Sequence, residues 1–216
     1  MNAVKKTKGR RGRPPLGSTY MDETRKTIIC AGLELLTEKG VTATGIDQIL
    51  RKVGIPKGSF YHYFRSKDAF LKEVIVAYNE YFIRKLKKHF EDKRYKPLRR
   101  LLNFCEDAKA GMAKHEYKRG CLVGNMGQET ASLNMSLRKS IEATFIDWER
   151  LLETCLQEAV EIGELSAGSD CAAVASYFWI GWEGAVLRAK LSKNADPLEL
   201  FIEQFITNLK SKGASA

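Results

Sequence analysis

Reactive chemistry in this sequence centres on Cys121. It sits within Arg119-Gly-Cys-Leu-Val-Gly-Asn125, with Lys118 just upstream. Flanking glycines favour access to a thiol, and a nearby cation or helix N-terminus lowers its pKa toward the nucleophilic thiolate. One reading of the spacing is therefore an exposed thiol of lowered pKa that opens a helix. The same residues also suit a small buried cysteine chosen for size at a tight packing point. A second cluster, Trp179, Trp182, Glu183 and Arg188, joins flat apolar surface to charge. It fits a ligand pocket, with Arg188 or Arg119 as the cation for a carboxylate. It fits core packing equally well, because Trp179 and Trp182 stand one helical turn apart. Enzymatic use of Cys121 needs a base. Of the three histidines, His62 and His89 fall in other parts of the chain and only His115 lies near, so no enzyme is expected.

The five cysteines, Cys30, Cys105, Cys121, Cys155 and Cys171, are odd in number, widely spaced and without a CxxC pair. They form neither a disulfide framework nor a zinc site. Neither metal nor cofactor is expected, and Cys30 reads as core packing. No stretch approaches the roughly 18 to 20 apolar residues of a membrane span. The basic N-terminus lacks the apolar run of a secretory signal. A cytoplasmic protein with no membrane partner is expected.

The elements around residues 44–64 read as two short helices joined by a turn. Thr44 is placed as an N-cap, and Ile46, Ile49, Leu50 and Val53 form one apolar face. Gly54 suits the positive φ that ends a helix, and Pro56 opens the next one. The second helix, roughly Lys57 to Phe64, is dense in aromatics, of which Phe60, Tyr63 and Phe64 read as core. This is helix-turn-helix spacing, in which the N-terminal residues of the second helix meet base edges in the major groove. Charge agrees: residues 1–70 hold 14 Lys/Arg against 6 Asp/Glu, and the other 146 hold 22 against 20. The basic surplus thus sits with the motif, the footprint of a polyanionic partner such as double-stranded DNA.

The run Ile55-Pro-Lys-Gly-Ser-Phe-Tyr-His-Tyr-Phe-Arg-Ser-Lys-Asp68 resembles the core signature of the TetR family of bacterial transcription regulators, firmly from about Asp22 to Phe70. By matching position, the resemblance implies that Lys57 and Ser59 reach base edges and that Thr44, Tyr61, His62 and Lys67 hold phosphates. Phosphate contacts set register without reading sequence. Upstream, Arg-Gly-Arg-Pro14 within a basic, acid-free segment is similar to an AT-hook core, which would place Arg11 and Arg13 in the minor groove. The alternative is a solvated tail making nonspecific phosphate contacts.

The rest of the chain reads as helices. A first helix spans Asp22 to Lys39 and supports the motif. Ser66 caps a helix of some 24 residues, about 36 Å long, reaching Phe90. Pro97 opens the next. Gly120, Gly124 and Gly127 weaken the following segment, which is expected to be short, irregular or closely approached. Long helices follow over Ser136–Ile162 and from an Asp170 cap to Leu191, and Pro197 opens a last one. Gly181, Gly184, Ala185 and Ala189 lie along one side and would let another helix approach. Nothing reads as a strand. The expected fold is all-α: a disordered basic arm over 1–20, a three-helix DNA-binding head over 21–67, and a helical effector-binding and dimerisation body over 68–216. The family resemblance implies a homodimer through the last two helices, bound to operator DNA and controlled by a small-molecule inducer. The stretch 119–125 together with Phe178–Leu191 is similar to a subgroup of acrylate-responsive and reactive-electrophile-responsive repressors. That similarity implies Cys121 as the sensing thiol. The alternative is noncovalent binding of a small organic acid such as acrylate.

Overall fold

The computed structural model describes residues 18–130 and 135–213. Among them lie nine α-helices, one 3₁₀ turn and no strand. They are α1 (Ser18–Lys39), α2 (Ile46–Lys52), a 3₁₀ turn (Lys57–Ser59) that runs into α3 (Phe60–Tyr63), α4 (Lys67–Phe90), α5 (Pro97–Lys114), α6 (Leu122–Thr130), α7 (Met135–Glu161), α8 (Cys171–Ser192) and α9 (Asp196–Gly213).

The helix ends follow local chemistry. The Ser66 hydroxyl accepts the Ala69 N–H at 3.1 Å, and the Asp170 carboxylate accepts the Ala173 N–H at 3.0 Å. Each satisfies one of the amides that a helix start leaves unpaired. Pro97 stands at the start of α5. Gly54 holds φ +68° between α2 and the 3₁₀ turn, a backbone state open to glycine at little cost.

Several expectations need correction. The first helix begins at Ser18 rather than Asp22, so residues 18–20 belong to α1 and not to an unstructured arm. Arg11 and Arg13 lie outside the described residues. The second helix of the motif is only four residues long after its 3₁₀ turn. Thr44 does not cap α2. Gly45 occupies that position, and Thr44 is turned into the head, only 1% exposed. Its hydroxyl finds no hydrogen-bond partner among the described residues. Cys30 is exposed, because it lies off the apolar face carrying Ile28, Ala31 and Leu35.

The head is built on rings. Phe60, Phe64 and Phe70 are all buried, with centroids 5.0 to 5.7 Å apart and mostly edge-to-face, the arrangement that ring quadrupoles favour. Ile28, Leu36, Ile49 and Leu50 close around them. Arg25 lies over the Phe64 ring at 5.0 Å and pairs with Glu73 of α4.

In the body, α7 packs on both α4 and α8, and α9 covers α8. A second aromatic cluster joins Phe82, Phe104, Trp148, Phe178, Trp179 and Trp182. The Trp148 Nε1–H is donated to Asn79 Oδ1 at 2.8 Å. Arg100 is buried where α4 turns into α5, donating to Phe90 O at 3.0 Å, Tyr95 O at 2.7 Å and Glu158 at 2.7 Å. Of the small residues on α8, Gly181 does admit a neighbour: the Phe201 ring of α9 occupies the space a Cβ would take. Gly184 faces open space instead. Among the described residues no helix is long and apolar enough to cross a membrane.

Candidate functional site

On the head, packing decides which motif side chains face outward. With Phe60 and Phe64 drawn inward, Tyr61 is turned out, 70% exposed, and His62 is exposed beside it. Lys57 is exposed at the start of the 3₁₀ turn, where its Nζ donates to Asp47 Oδ2 at 2.8 Å. Ser59 and Lys67 are half-buried, and the Lys67 Nζ reaches Val41 O at 3.4 Å. Lys57, Ser59, Tyr61 and His62 thus fall together on one short segment. Thr44, buried beneath the motif, does not join them. Its inward orientation removes the hydroxyl from any phosphate in this conformation.

In the body, a cavity of about 440 Å³ lies where α1 of the head meets α4, α5 and α8. Three helices each contribute one stripe at i, i+3, i+4 and i+7: Cys30 to Thr37 from α1, Tyr78 to Lys85 from α4, and Ala108 to His115 at the end of α5. Arg119, Gly120 and Cys121 close one side, and Trp182, Glu183 and Val186 of α8 another.

Of the sensor residues expected from sequence, Arg119, Cys121 and Trp182 meet at this cavity and two do not. Trp179 is 2% exposed in the aromatic core, its Nε1–H without a partner among the described residues. Arg188 is exposed on α8 and lines no part of the cavity, because five residues from Glu183 is more than one turn and carries it to another face. The expectation of an exposed, acidic thiol also fails. Cys121 is 8% exposed. Burial first, and then the neighbouring Glu183 charge, push its pKa well up. It does precede a helix: its Sγ accepts the Gly124 N–H at 3.4 Å at the start of α6.

Burial pushes Glu183 up to about 7, an effect only partly offset by its hydrogen bond with Cys121. Burial likewise holds the Tyr78 phenol well above its ordinary value. At neutral pH Cys121 and Tyr78 therefore hold their protons, while Glu183, at about 7, is shared between its protonated and charged forms. Positive charge comes from Lys85 and Arg119, and the His115 ring stands beside them. The Lys85 Nζ pairs with Asp107 at 3.1 Å, and Arg119 lies 3.9 Å from Glu38. Among the described residues no group of three or more His, Cys, Asp or Glu could hold a metal ion.

Sequence reasoning missed Tyr78 and Lys85 and gave His115 no ligand role. The signal was there in α4: a lysine one turn past Tyr81 and Phe82, on a stripe that otherwise reads as core.

The comparisons with known proteins agree with this anatomy. Residues 28–74 match the family model for bacterial regulatory proteins of the tetR family, and residues 97–205 match the tetracyclin repressor-like C-terminal domain. The transcriptional regulator AcuR of Cereibacter sphaeroides is 48% identical over 198 residues, covering 92% of this chain and 90% of AcuR. This chain belongs to the TetR family. The crystal structure of a regulatory protein TetR from Rhodobacter sphaeroides superposes with a TM-score of 0.81 at 48% identity, over 84% of this chain and 96% of that one. The reduced form of Escherichia coli NemR superposes with a TM-score of 0.78 at 26% identity, over 85% and 95%. NemR itself is named an HTH-type transcriptional repressor, and its sequence is 27% identical over 82% of this chain and 89% of its own length. As a TetR-family member the chain is a DNA-binding transcription regulator of repressor type, not an enzyme. Regulators of this family bind operator DNA and small molecules and form dimers.

Proposed function

We propose that this TetR-family protein leaves its operator when a small organic acid of the acrylate type occupies the cavity beneath α1. The position of the cavity carries this reading. Its wall is part head, through Cys30 to Thr37 of α1, and part body, through Cys121 and Glu183. A ligand there touches the element that orients the head. Lys85, Arg119 and His115 supply donors for a carboxylate, and a charge-assisted pair in a partly dry site is strong. To move the protein from 1:99 to 99:1 between its two states, the ligand must favour one by about 5.5 kcal/mol.

The second reading is covalent. Cys121 faces the cavity, and an activated C=C bond held there could add the thiol. The S–C bond forms at one carbon and the thiol proton passes to the other. The raised thiol pKa opposes this route, since the thiolate is the nucleophile.

The DNA side of the reading keeps Lys57 and Ser59 for base edges, and Tyr61, His62 and Lys67 for phosphates. Arg11 and Arg13 are assigned to the adjacent minor groove. Two heads are joined by a homodimer through α8 and α9. Tyr177, Ile180, Leu187 and Leu191 support it, forming one exposed apolar face of α8, with Leu200 of α9 also exposed. Gly184, on the same face, leaves room for a partner backbone.

The test is release of an operator duplex, followed by fluorescence anisotropy with acrylate, a quinone, methylglyoxal and hypochlorite. On the acid reading, acrylate releases wild type and Cys121→Ser alike, and Lys85→Ala or Arg119→Ala raises the acrylate needed about tenfold. Release of wild type alone assigns the chemistry to Cys121. Cys30→Ser runs alongside, because Cys30 also lines the cavity. If no reagent releases the wild-type complex, both readings fall.

A further inference from the structure

The stretch that carries Cys121 also grips the head. Near its first end, the Glu183 carboxylate of α8 reaches across to the place that a Cβ on Gly124 would take. At its other end, Glu129 reaches the turn between α1 and α2. Its Oε1 accepts the Val41 N–H at 3.1 Å and its Oε2 accepts the Thr42 N–H at 2.6 Å. Between the two, the Asn125 Nδ2–H is donated to Thr37 O at 3.1 Å. Gly40, at φ +84°, leaves the space where a Cβ would stand, and the Glu129 carboxylate fills it. From α8, the Lys190 Nζ adds a bond to Glu38 O at 3.3 Å.

The Thr37 and Glu38 carbonyls are among the last of α1, which a helix end leaves unpaired, and the Val41 and Thr42 amides belong to the turn that follows. Here the body satisfies them. A carboxylate taking two backbone N–H groups at once is charge-assisted and directional. The nine residues of α6 form one helix, about 13 Å long, that joins the Gly124 end to the Glu129 end.

We propose that Glu129 is a positioning residue for DNA reading. Its carboxylate fixes the orientation of the head on the body, and α6 transmits displacement from the Cys121–Gly124 end to the turn ahead of α2. The part that concerns transmission from the cavity rests on the sensing reading above; the clamp on the head does not.

The test needs no inducer. Wild type, Glu129→Ala, Glu129→Gln, Gly124→Leu and the Gly124→Leu/Glu129→Ala double variant are compared. Readouts are amide hydrogen exchange, thermal unfolding, and affinity for a duplex that wild type selects from a random pool. Glu129→Ala is expected to speed exchange at Val41 and Thr42 about tenfold while the Ile49 and Leu50 amides of α2 stay protected. It should weaken duplex binding about tenfold. Glu129→Gln, which keeps one accepting oxygen, falls between the two. Gly124→Leu, which sets a side chain where the Glu183 carboxylate lies, is expected to reproduce both effects without ligand, and adding it to Glu129→Ala to cost nothing further.

Unchanged exchange and affinity in Glu129→Ala overturn the proposal. So does loss of protection at Ile49 and Leu50, which would make Glu129 a folding residue of the head. Losses that add in the double variant remove α6 as the link. A wild-type complex that acrylate cannot release defeats the acid reading alone, because none of these outcomes uses a ligand.

Discussion

The head and the body put their working groups on opposite sides of their cores. In the head, Phe60, Phe64 and Phe70 fill the interior, while Lys57, Tyr61 and His62 face outward. Structure and recognition are separate layers of one short segment. In the body, the proposed effector groups line an open cleft that reaches inward between helices, and Tyr78, Trp182 and Glu183 serve wall and core at once. An outward-facing site can be rewritten without touching packing. An inward-facing one must accept buried polar groups, and the raised pKa values of Cys121 and Glu183 record that cost.

This contrast can be broken by substitution, beginning where the effect is largest. Phe60→Ala removes a ring that is 1% exposed at the centre of the head and should cost about 3–5 kcal/mol. Urea unfolding followed at the head should lose its cooperative transition first, and DNA binding with it. A loss below about 1 kcal/mol would mean that the rings are not the head's core.

Glu183→Gln probes the buried side. The folded pKa of about 7 lies above the ordinary 4.5. Between those values the folded protein holds a proton that the unfolded chain has released. Wild-type stability therefore falls as pH rises through that window and stays low above it. Against Glu183→Gln, wild type should lose about 3 kcal/mol between pH 4.5 and 8 in denaturant titrations. Parallel pH profiles for the two proteins would show that the carboxyl is solvated.

Lys57→Ala acts only on the outer layer. It should weaken operator binding by about 1–2 kcal/mol and leave the melting temperature within experimental scatter. A changed melting temperature would show that the Asp47 pair supports the fold. The smallest effect belongs to Thr44→Val, which keeps the shape and removes a hydroxyl that has no partner among the described residues. Stability should be unchanged or slightly better, within about 0.5 kcal/mol, and operator affinity the same. A clear loss of affinity would restore Thr44 as a phosphate contact made after a rearrangement on DNA.

The same division explains what the sequence made legible. The caps at Ser66 and Asp170, the turn at Gly54 and the start of α5 at Pro97 each depend on residues within four positions, and all were read correctly. The aromatic core of the head followed from its spacing. Thr44 was misread because capping and burial both suit a threonine at that place, and only the packing of α1 against α2 chooses between them. Trp179 and Trp182 have one residue type and adjoining turns, yet one is core and the other wall. That difference depends on where α4 and α5 stand, which no local pattern contains. Cys121 was left between an exposed thiol and a small buried one, because glycine neighbours suit both; the gap beside Gly124 is filled by Glu183, 62 positions downstream of the cysteine.

Consider last the three stripes that wall the cavity. Each uses four positions of its helix; Leu33, Tyr78, Phe82, Ala108 and Met112 also pack into the core, whereas Tyr81, Lys85, Gly111 and His115 do not. A lineage could therefore exchange Lys85, Gly111 or His115 for other side chains and meet a new effector, leaving the address it reads on DNA untouched. Input and output can drift separately, and the same chassis can be retuned by design one wall position at a time.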